Sequence, residues 1–418
     1  MVDPRDHLVS DQYEGYPYPD RDPKDERKRL IEGSPSDLAE IRHYLFAGGL
    51  PDTGGEPFRA LIAGGGTGDA AIMLAQHCAS TDLNAEITYL DLSSASRRIT
   101  EERAEARGLS NLRFVSGSLL DAAKLAPGPY DYIDCCGVLH HLDEPEAGLA
   151  SLAAILKPSG GMGLMVYGTL GRRGIYETQE LLRTIAPLDL PDQERIARTK
   201  RLLDKLPKTN WLRRNPFVQD HRNGGDAGIY DLLLHARDRA YRVAEFAALI
   251  ESAGLSITSF IQAASYEPET YLNDPTLLSP LASLSLTKRA AAAESLAGNM
   301  RKHVVYATPN HRASHSVASP ENLALIPSLH RQQPKLLAEA LRRGKLQINL
   351  DGYEATFPAP KRASAITSRM DGQRSLAEIA ADLRTADTAL SEDEACKLVQ
   401  QTFRYLNNLN VALLRTPD

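Results

Sequence analysis

The chain has 418 residues, 24% of them charged and 42% hydrophobic, with a formal net charge of −6 and a pI near 6.0. That length exceeds one ordinary domain and predicts two or three, and the mildly acidic balance makes a nucleic-acid partner unexpected. No leader of charged then apolar residues and no apolar run of about 18 residues occurs, so the expectation is a cytoplasmic protein with no membrane partner.

Four cysteines, Cys78, Cys135, Cys136 and Cys396, form neither a C-x-x-C pair nor a zinc-type spacing with histidine. They read as free thiols, and no metal is expected. In chain order, residues 1–34 are rich in Pro, Tyr and charge, centred on Tyr13-Glu14-Gly15-Tyr16-Pro17-Tyr18-Pro19. Proline precludes a regular helix there, and an arm is predicted. Tyr16 and Tyr18 can present hydroxyls or ring faces to a cation, or simply pack. Helical periodicity over 35–46 gives a helix ahead of the first strand. Leu61-Ile62-Ala63 then runs into Gly64-Gly65-Gly66-Thr67-Gly68-Asp69 and the apolar-periodic residues 70–75: strand, tight turn, helix. Glycine permits positive φ and close backbone approach to a ligand, which marks a nucleotide-type binding edge. A dinucleotide fingerprint fails at Asp69, where the third glycine of G-x-G-x-x-G would stand.

A second strand over 86–90 ends in Asp91, about 20 residues past the last glycine, the spacing of a carboxylate that accepts ribose hydroxyls. A third, 112–115, leads to Ser116-Gly117-Ser118-Leu119, and a fourth, 130–136, leads to Gly137-Val138-Leu139-His140-His141-Leu142. The turn Leu156-Lys157-Pro158-Ser159-Gly160-Gly161 opens a fifth strand over 162–167. In this order, the G-x-G-x-G-acid turn, Asp91, Ser118, V-L-H-H-L and L-K-P-S-G-G resemble the class I S-adenosylmethionine (SAM) methyltransferases.

The resemblance implies an α/β fold with a seven-stranded doubly wound sheet in the order 3-2-1-4-5-7-6. It implies SAM as cofactor, held at Gly64, Gly65, Gly66, Gly68, Asp69, Asp91, Leu92, Ser118, Leu119, Gly137 and Val138. Methyl transfer from an activated donor needs mainly alignment and exclusion of water, so dedicated catalytic groups are few. An amine or hydroxyl acceptor must shed a proton, and carboxylates, tyrosines or a histidine are the expected helpers. The candidates are Tyr16 and Tyr18 of the arm, His140 after the fourth strand, Tyr176 in the glycine-hinged loop 167–177, and Asp226, Tyr230 and His235 in the segment 226–235. Each also has an ordinary reading as a packed ring, a core imidazole or a solvated helix face.

Residues 169–240 predict a charged helical insertion, 241–252 a helix closed by Gly254, and 255–260 a strand. Residues 262–299 form a second helical insertion, and 302–307 a last strand, ending a domain of residues 35–309. Residues 310–321 read as a polar linker. In the tail, 322–418, the predicted order is helix, helix, short hairpin, a small winged-helix-like α+β unit. Its D-G-Q-R-S-L-A-E-I-A, residues 371–380, resembles peptide-binding winged helices and the C-terminal part of bacterial protein-lysine methyltransferases that act on outer-membrane protein. This implies methyl transfer to a peptide or protein side chain. Two other readings stay open: a small-molecule N- or O-acceptor with the tail serving a homodimer, and a non-catalytic SAM-binding scaffold. The tail helix over 394–408, with Glu394, Lys397 and Arg404, lacks the basic density that DNA phosphates need.

Overall fold

The structure, a computed structural model, describes residues 11–417. These fall into two compact units, one comprising the chain up to Asp37 with Thr53–Gly254 and Gly298–Val304, the other Leu38–Asp52, Leu255–Ala297 and Val305 onward. Among the described residues no helix is long and apolar enough to cross a membrane.

Seven strands form one sheet: β1 (Phe58–Ala63), β2 (Ala85–Asp91), β3 (Leu112–Ser116), β4 (Tyr130–Cys136), β5 (Leu156–Tyr167), β6 (Leu255–Phe260) and β7 (Lys302–Pro309), in the order β3-β2-β1-β4-β5-β7-β6. The predicted order is the observed one. β1 to β5 are parallel, and β6 runs antiparallel to β7. The near-continuous burial of Phe58, Ala60, Leu61, Ile62 and Ala63 in β1 is what a parallel strand covered on both faces requires. β5 begins earlier than predicted, because L-K-P-S-G-G is itself strand, with a register shift against β4 between Tyr130 and Tyr132. The two strands approach so closely that a Cβ on Gly160 would stand 2.9 Å from the Asp131 carbonyl oxygen, which explains the glycine there.

The predicted insertion after β5 contains helices Ile175–Ile185 and Asp192–Lys205, then short turns of helix, Trp211–Arg214, Asp220–Asn223 and Gly225–Ile229. The last runs into a π-helical turn, Tyr230–Leu234, a widening often found at functional sites. These pieces enclose their own core of Ile175, Leu182, Ile196, Leu206, Leu212, Val218, Leu232 and Leu233.

In the second unit, helices Leu376–Ala386 and Glu392–Asn408 each open on a capping box, Ser375 with Glu378 and Ser391 with Glu394, which satisfies the first free amides. Ile366, Met370, Ile379, Val399, Phe403 and Leu406 make the core between them. The hairpin precedes these helices as β9 (Lys345–Leu350) and β10 (Tyr353–Pro358), with β8 (Ile326–Leu329) earlier in the chain. The strand after the helices, β11 (Ala412–Arg415), pairs with β8 and makes no hairpin of its own. Asn410, at φ 56°, turns the chain back so that Val411 accepts from the His330 amide. The helix Leu38–Leu45 belongs to this unit. Its His43 Nδ1 accepts from the Leu414 amide at 3.0 Å, and its Glu40 accepts from Asn410 Nδ2 at 2.7 Å and from the Tyr306 hydroxyl at 3.0 Å. The polar segment 310–321 is held as well: Ser316 accepts from the Ala47 amide, and the Ala318 amide donates to His43.

Candidate active site

The loops that leave β1, β2, β3 and β4 share one end of the sheet, the carboxyl ends of the parallel strands, where ligands of open α/β sheets bind. Gly64 donates to Leu90, Gly117 to Asp91 and Gly137 to Met165, tying each loop to the next strand. Asp91 ends β2 with its carboxylate accepting from the Gly66 amide at 2.7 Å and the Ser93 amide at 2.8 Å. Burial pushes its pKa up against those hydrogen bonds. Ser118 accepts from the Leu120 amide, Leu119 is buried, and Leu92 is 47% exposed beside Asp91. Val138 lies against Gly64, and the Tyr89 ring fills the space beside Gly65. Two glycines face open space: a Cβ on Gly66 (φ +51°) would meet only the Tyr18 carbonyl oxygen at 3.5 Å, and one on Gly137 (φ +79°) only Met165 Cε at 3.5 Å. A side chain at either position would fill room that a ligand needs. An acid at the end of β2 and two glycines bordering a cleft fit an adenosyl group.

The arm lies on this turn. Thr67 Oγ1 donates to the Pro19 carbonyl at 2.7 Å, and Ser93 Oγ donates to the Tyr13 carbonyl at 3.0 Å. Glu14 accepts from the Ser94 and Ala95 amides at the start of helix Ser94–Arg107, which suits a carboxylate at an N-terminus. Arg21 forks onto Asp69 at 2.9 and 2.7 Å. The fully buried Arg103 donates to Glu26 at 2.7 Å, to Asp69 at 2.8 Å and to the Thr67 carbonyl at 2.6 Å. Asp69 loses solvent, but Arg21 and then Arg103 outweigh that and hold its pKa below the usual range.

Beside the Gly137 loop stands a buried cluster drawn from four segments. The His140 ring stacks on Tyr167 at 4.0 Å and the His141 ring on His235 at 4.0 Å. Arg172 lies 3.6 Å over the Tyr167 ring and donates to Asp238 Oδ2 at 2.8 Å and to the Tyr176 hydroxyl at 3.2 Å. Burial drives His140 and His235 far below the ordinary imidazole pKa, and the other cationic or imidazole groups nearby add to it, so both are neutral. Neutral His235 accepts the Arg237 amide on Nδ1 at 3.0 Å. Its proton therefore sits on Nε2, 3.2 Å from the Tyr13 hydroxyl, which in turn donates to Asp231 Oδ1 at 3.2 Å. The chain of donors ends on the Asp231 carboxylate. Burial first, and Asp238 second, push the Asp231 pKa up to about 7, where a carboxylate exchanges protons near neutrality.

Of the sequence candidates, the structure gathers His140, Tyr176 and His235 into this cluster and sets Tyr18 at its edge, where its hydroxyl donates to Asp220 at 3.2 Å and feels the charge of Asp231. It does not gather Tyr16, Asp226 or Tyr230. Tyr16 stacks on Tyr230 at 4.8 Å, Tyr230 donates to Asp192 at 2.7 Å, and Asp226 pairs with Lys200 on the wall of a cavity of about 350 Å³ inside the helical insertion. The reason is angular: one residue along a helical turn, α or π, rotates a side chain by roughly a quarter turn. Asp226 and Tyr230 share one face, while Asp231 and His235 share the next. Sequence reasoning passed over Tyr13, Asp220 and Asp238, which carry no local motif.

Residues 61–162 match the family described as a methyltransferase domain. An uncharacterized protein of Synechococcus sp. is 31% identical over 307 residues, 71% of this chain and 70% of that one. The tRNA 5-carboxymethoxyuridine methyltransferase of Escherichia coli is 32% identical over 123 residues, 29% of this chain and 45% of the enzyme, so the chain spans less than half of that relative. Among solved structures, PKMT2 from Rickettsia typhi in complex with AdoHcy superposes with a TM-score of 0.63 at 14% identity, covering 92% of this chain and 76% of that one.

Proposed function

Since the chain belongs to the SAM-dependent methyltransferases, in one family with the Synechococcus protein, we propose that it methylates an amine on a peptide or protein side chain. Asp220, Asp238 and the Arg172 guanidinium lie within electrostatic reach of Asp231, among the rings of Tyr13, Tyr18 and Tyr167, while Arg237 is faced by Asp143. That surplus of negative charge with aromatic walls favours a cationic acceptor. Bound SAM would supply an activated methyl group on a sulfonium, held by the glycine turn, Asp91 and the Gly137 loop.

Asp231 takes the proton that an ammonium acceptor must lose, and Tyr13 with His235 holds its carboxylate in place. Tyr167, His140 and Tyr176 exclude water. The observation that carries the reading is Asp231, a buried carboxylate with a pKa of about 7 at the end of a directed donor chain. Support for a macromolecular acceptor comes from the tail's resemblance and from the likeness of fold to PKMT2 over both parts of the chain. The tRNA enzyme matches over 29% of the chain, too little to carry the acceptor class.

The test incubates purified protein with methyl-labelled SAM and lysate of its own host, then separates products by size. Label in a protease-sensitive macromolecular fraction is expected. Label confined to small molecules would overturn the acceptor class and favour a small-molecule methyltransferase.

A further inference from the structure

We infer that His140, His141 and Asp238 form a site for a divalent transition-metal ion in the buried cluster beside the Gly137 loop. The inference concerns the proposed active site, yet it does not depend on the acceptor being an amine. One ligand atom from each of the three residues lies within 4.8 Å of the other two, and each has a lone pair that nothing else uses. His140 is 1% exposed, and neither of its ring nitrogens has a hydrogen-bond partner. His141 Nδ1 lies 2.9 Å from the Arg237 carbonyl; in the neutral ring that nitrogen carries the proton and donates, leaving the Nε2 lone pair free. This is the usual support of a metal-binding histidine. Asp238 accepts from Arg172 and Gln179 on Oδ2, while its Oδ1 is buried and unpartnered. Buried polar atoms without partners are rare in folded proteins, and here three side chains that suit metal binding converge.

Burial holds His140 and His141 below the ordinary imidazole pKa, which keeps them in the neutral form that metals bind. His235 is excluded, because its two nitrogens serve Arg237 and Tyr13. The Arg172 guanidinium opposes a dication. Against it stand Asp238 itself, Asp231, whose charge couples to Asp238, and Asp220, while Tyr13, Tyr167 and Tyr176, all raised by burial, are uncharged. Two imidazoles and one carboxylate suit Zn²⁺ or Fe²⁺ and leave coordination positions open; Mg²⁺ and Ca²⁺ prefer all-oxygen sites. The sequence conceals the set, since the paired histidines follow β4 and the aspartate comes after the helical insertion.

The full chain, treated with chelator and dialysed, is titrated with Zn²⁺ by calorimetry and with Co²⁺ by visible absorption, with Mg²⁺ as control. The expected result is one Zn²⁺ per chain, a Co²⁺ spectrum of low coordination number, and no Mg²⁺ uptake. In His140→Ala and in Asp238→Asn, Zn²⁺ affinity falls at least about tenfold with the circular-dichroism spectrum kept. Asp238→Asn also disturbs Arg172, so His140→Ala carries the comparison where that variant misfolds. Zn²⁺ binding of equal strength in wild type and variants would mark an adventitious ion only and overturn the inference, as would no binding. SAM affinity and methyl transfer are read on the same samples: transfer without any metal uptake sinks the metal site and leaves the proposed function standing.

Discussion

A carboxyl group that titrates near pH 7 makes activity a reporter of one side chain. On the proposed reading Asp231 works as a base only when ionised, so kcat/KM is expected to fall as pH drops below about 7. Asp231→Asn should lower kcat by about 10²- to 10⁴-fold, abolish that acid limb and leave SAM affinity unchanged in calorimetry. The Tyr13 hydroxyl donates to the carboxylate and lowers its pKa; Tyr13→Phe should therefore move the midpoint of the limb to higher pH in the same pH–rate measurement. Asp134 offers a stability counterpart, buried on β4 with its pKa raised to about 7 by burial against its hydrogen bond from Ser36. Its folded pKa lies above the unfolded one, so stability is present below about pH 4 and lost as pH rises toward 7. Asp134→Asn should stabilise more at pH 8 than at pH 5, by a difference on the order of 2 kcal/mol, read from denaturant melts at the two pH values. At this scale the sequence was legible where chemistry is local: the glycines and Asp91 announce themselves by spacing. Asp231 stood one position from the chosen Tyr230, and only the direction of the π-helical turn separates them.

The strands could be read as short apolar-rich stretches set between turn residues, and their order followed from the resemblance to class I SAM methyltransferases that the motifs carry. The L-K-P-S-G-G stretch could not, because proline and glycine mark a turn locally, whereas here the close approach of β4 decides. The rest of the candidate cluster, beyond His140, Tyr176 and His235, escaped for a related reason: Tyr13 comes from the arm, Arg172 from the loop after β5, and Asp238 from beyond the helical insertion. Contacts between distant segments leave no period in a sequence. The arm is also an element whose attachment can be tested. Arg103 and Glu26 are both buried, with Arg107 the other partner of Glu26. Removing Arg103 leaves Glu26 with Arg107 alone and Asp69 with Arg21 alone, breaking the best-buried part of this network. Arg103→Leu is expected to cost about 3 kcal/mol in chemical denaturation and to open residues 11–29 to limited proteolysis, and an unchanged cleavage pattern would count against the arm being held by this residue.

For the molecule as a whole, the tail is not a detachable appendage. Helix Leu38–Leu45 reads as the start of the methyltransferase domain, yet its Glu40 and His43 bond to Asn410 and Leu414, and Ala47 donates to Ser316. Truncation after Pro309 would leave Glu40, now fully buried, without its amide donor and strip the partner of His43. The truncated protein is expected to melt well below the full chain or fail to dissolve, as thermal denaturation would show; a stable, SAM-binding fragment would contradict that.

The arm's hold on the glycine turn has a kinetic corollary. Its fastenings near the turn include two hydroxyl-to-carbonyl bonds, Glu14 on the Ser94 and Ala95 amides and the Arg21–Asp69 fork, and opening of the arm beside the adenosyl site would break them. On the proposed reading, one rapid round of product per chain precedes a slower steady rate set by this unlatching. Added salt, which screens the half-exposed fork, quickens the later rounds and leaves the first untouched.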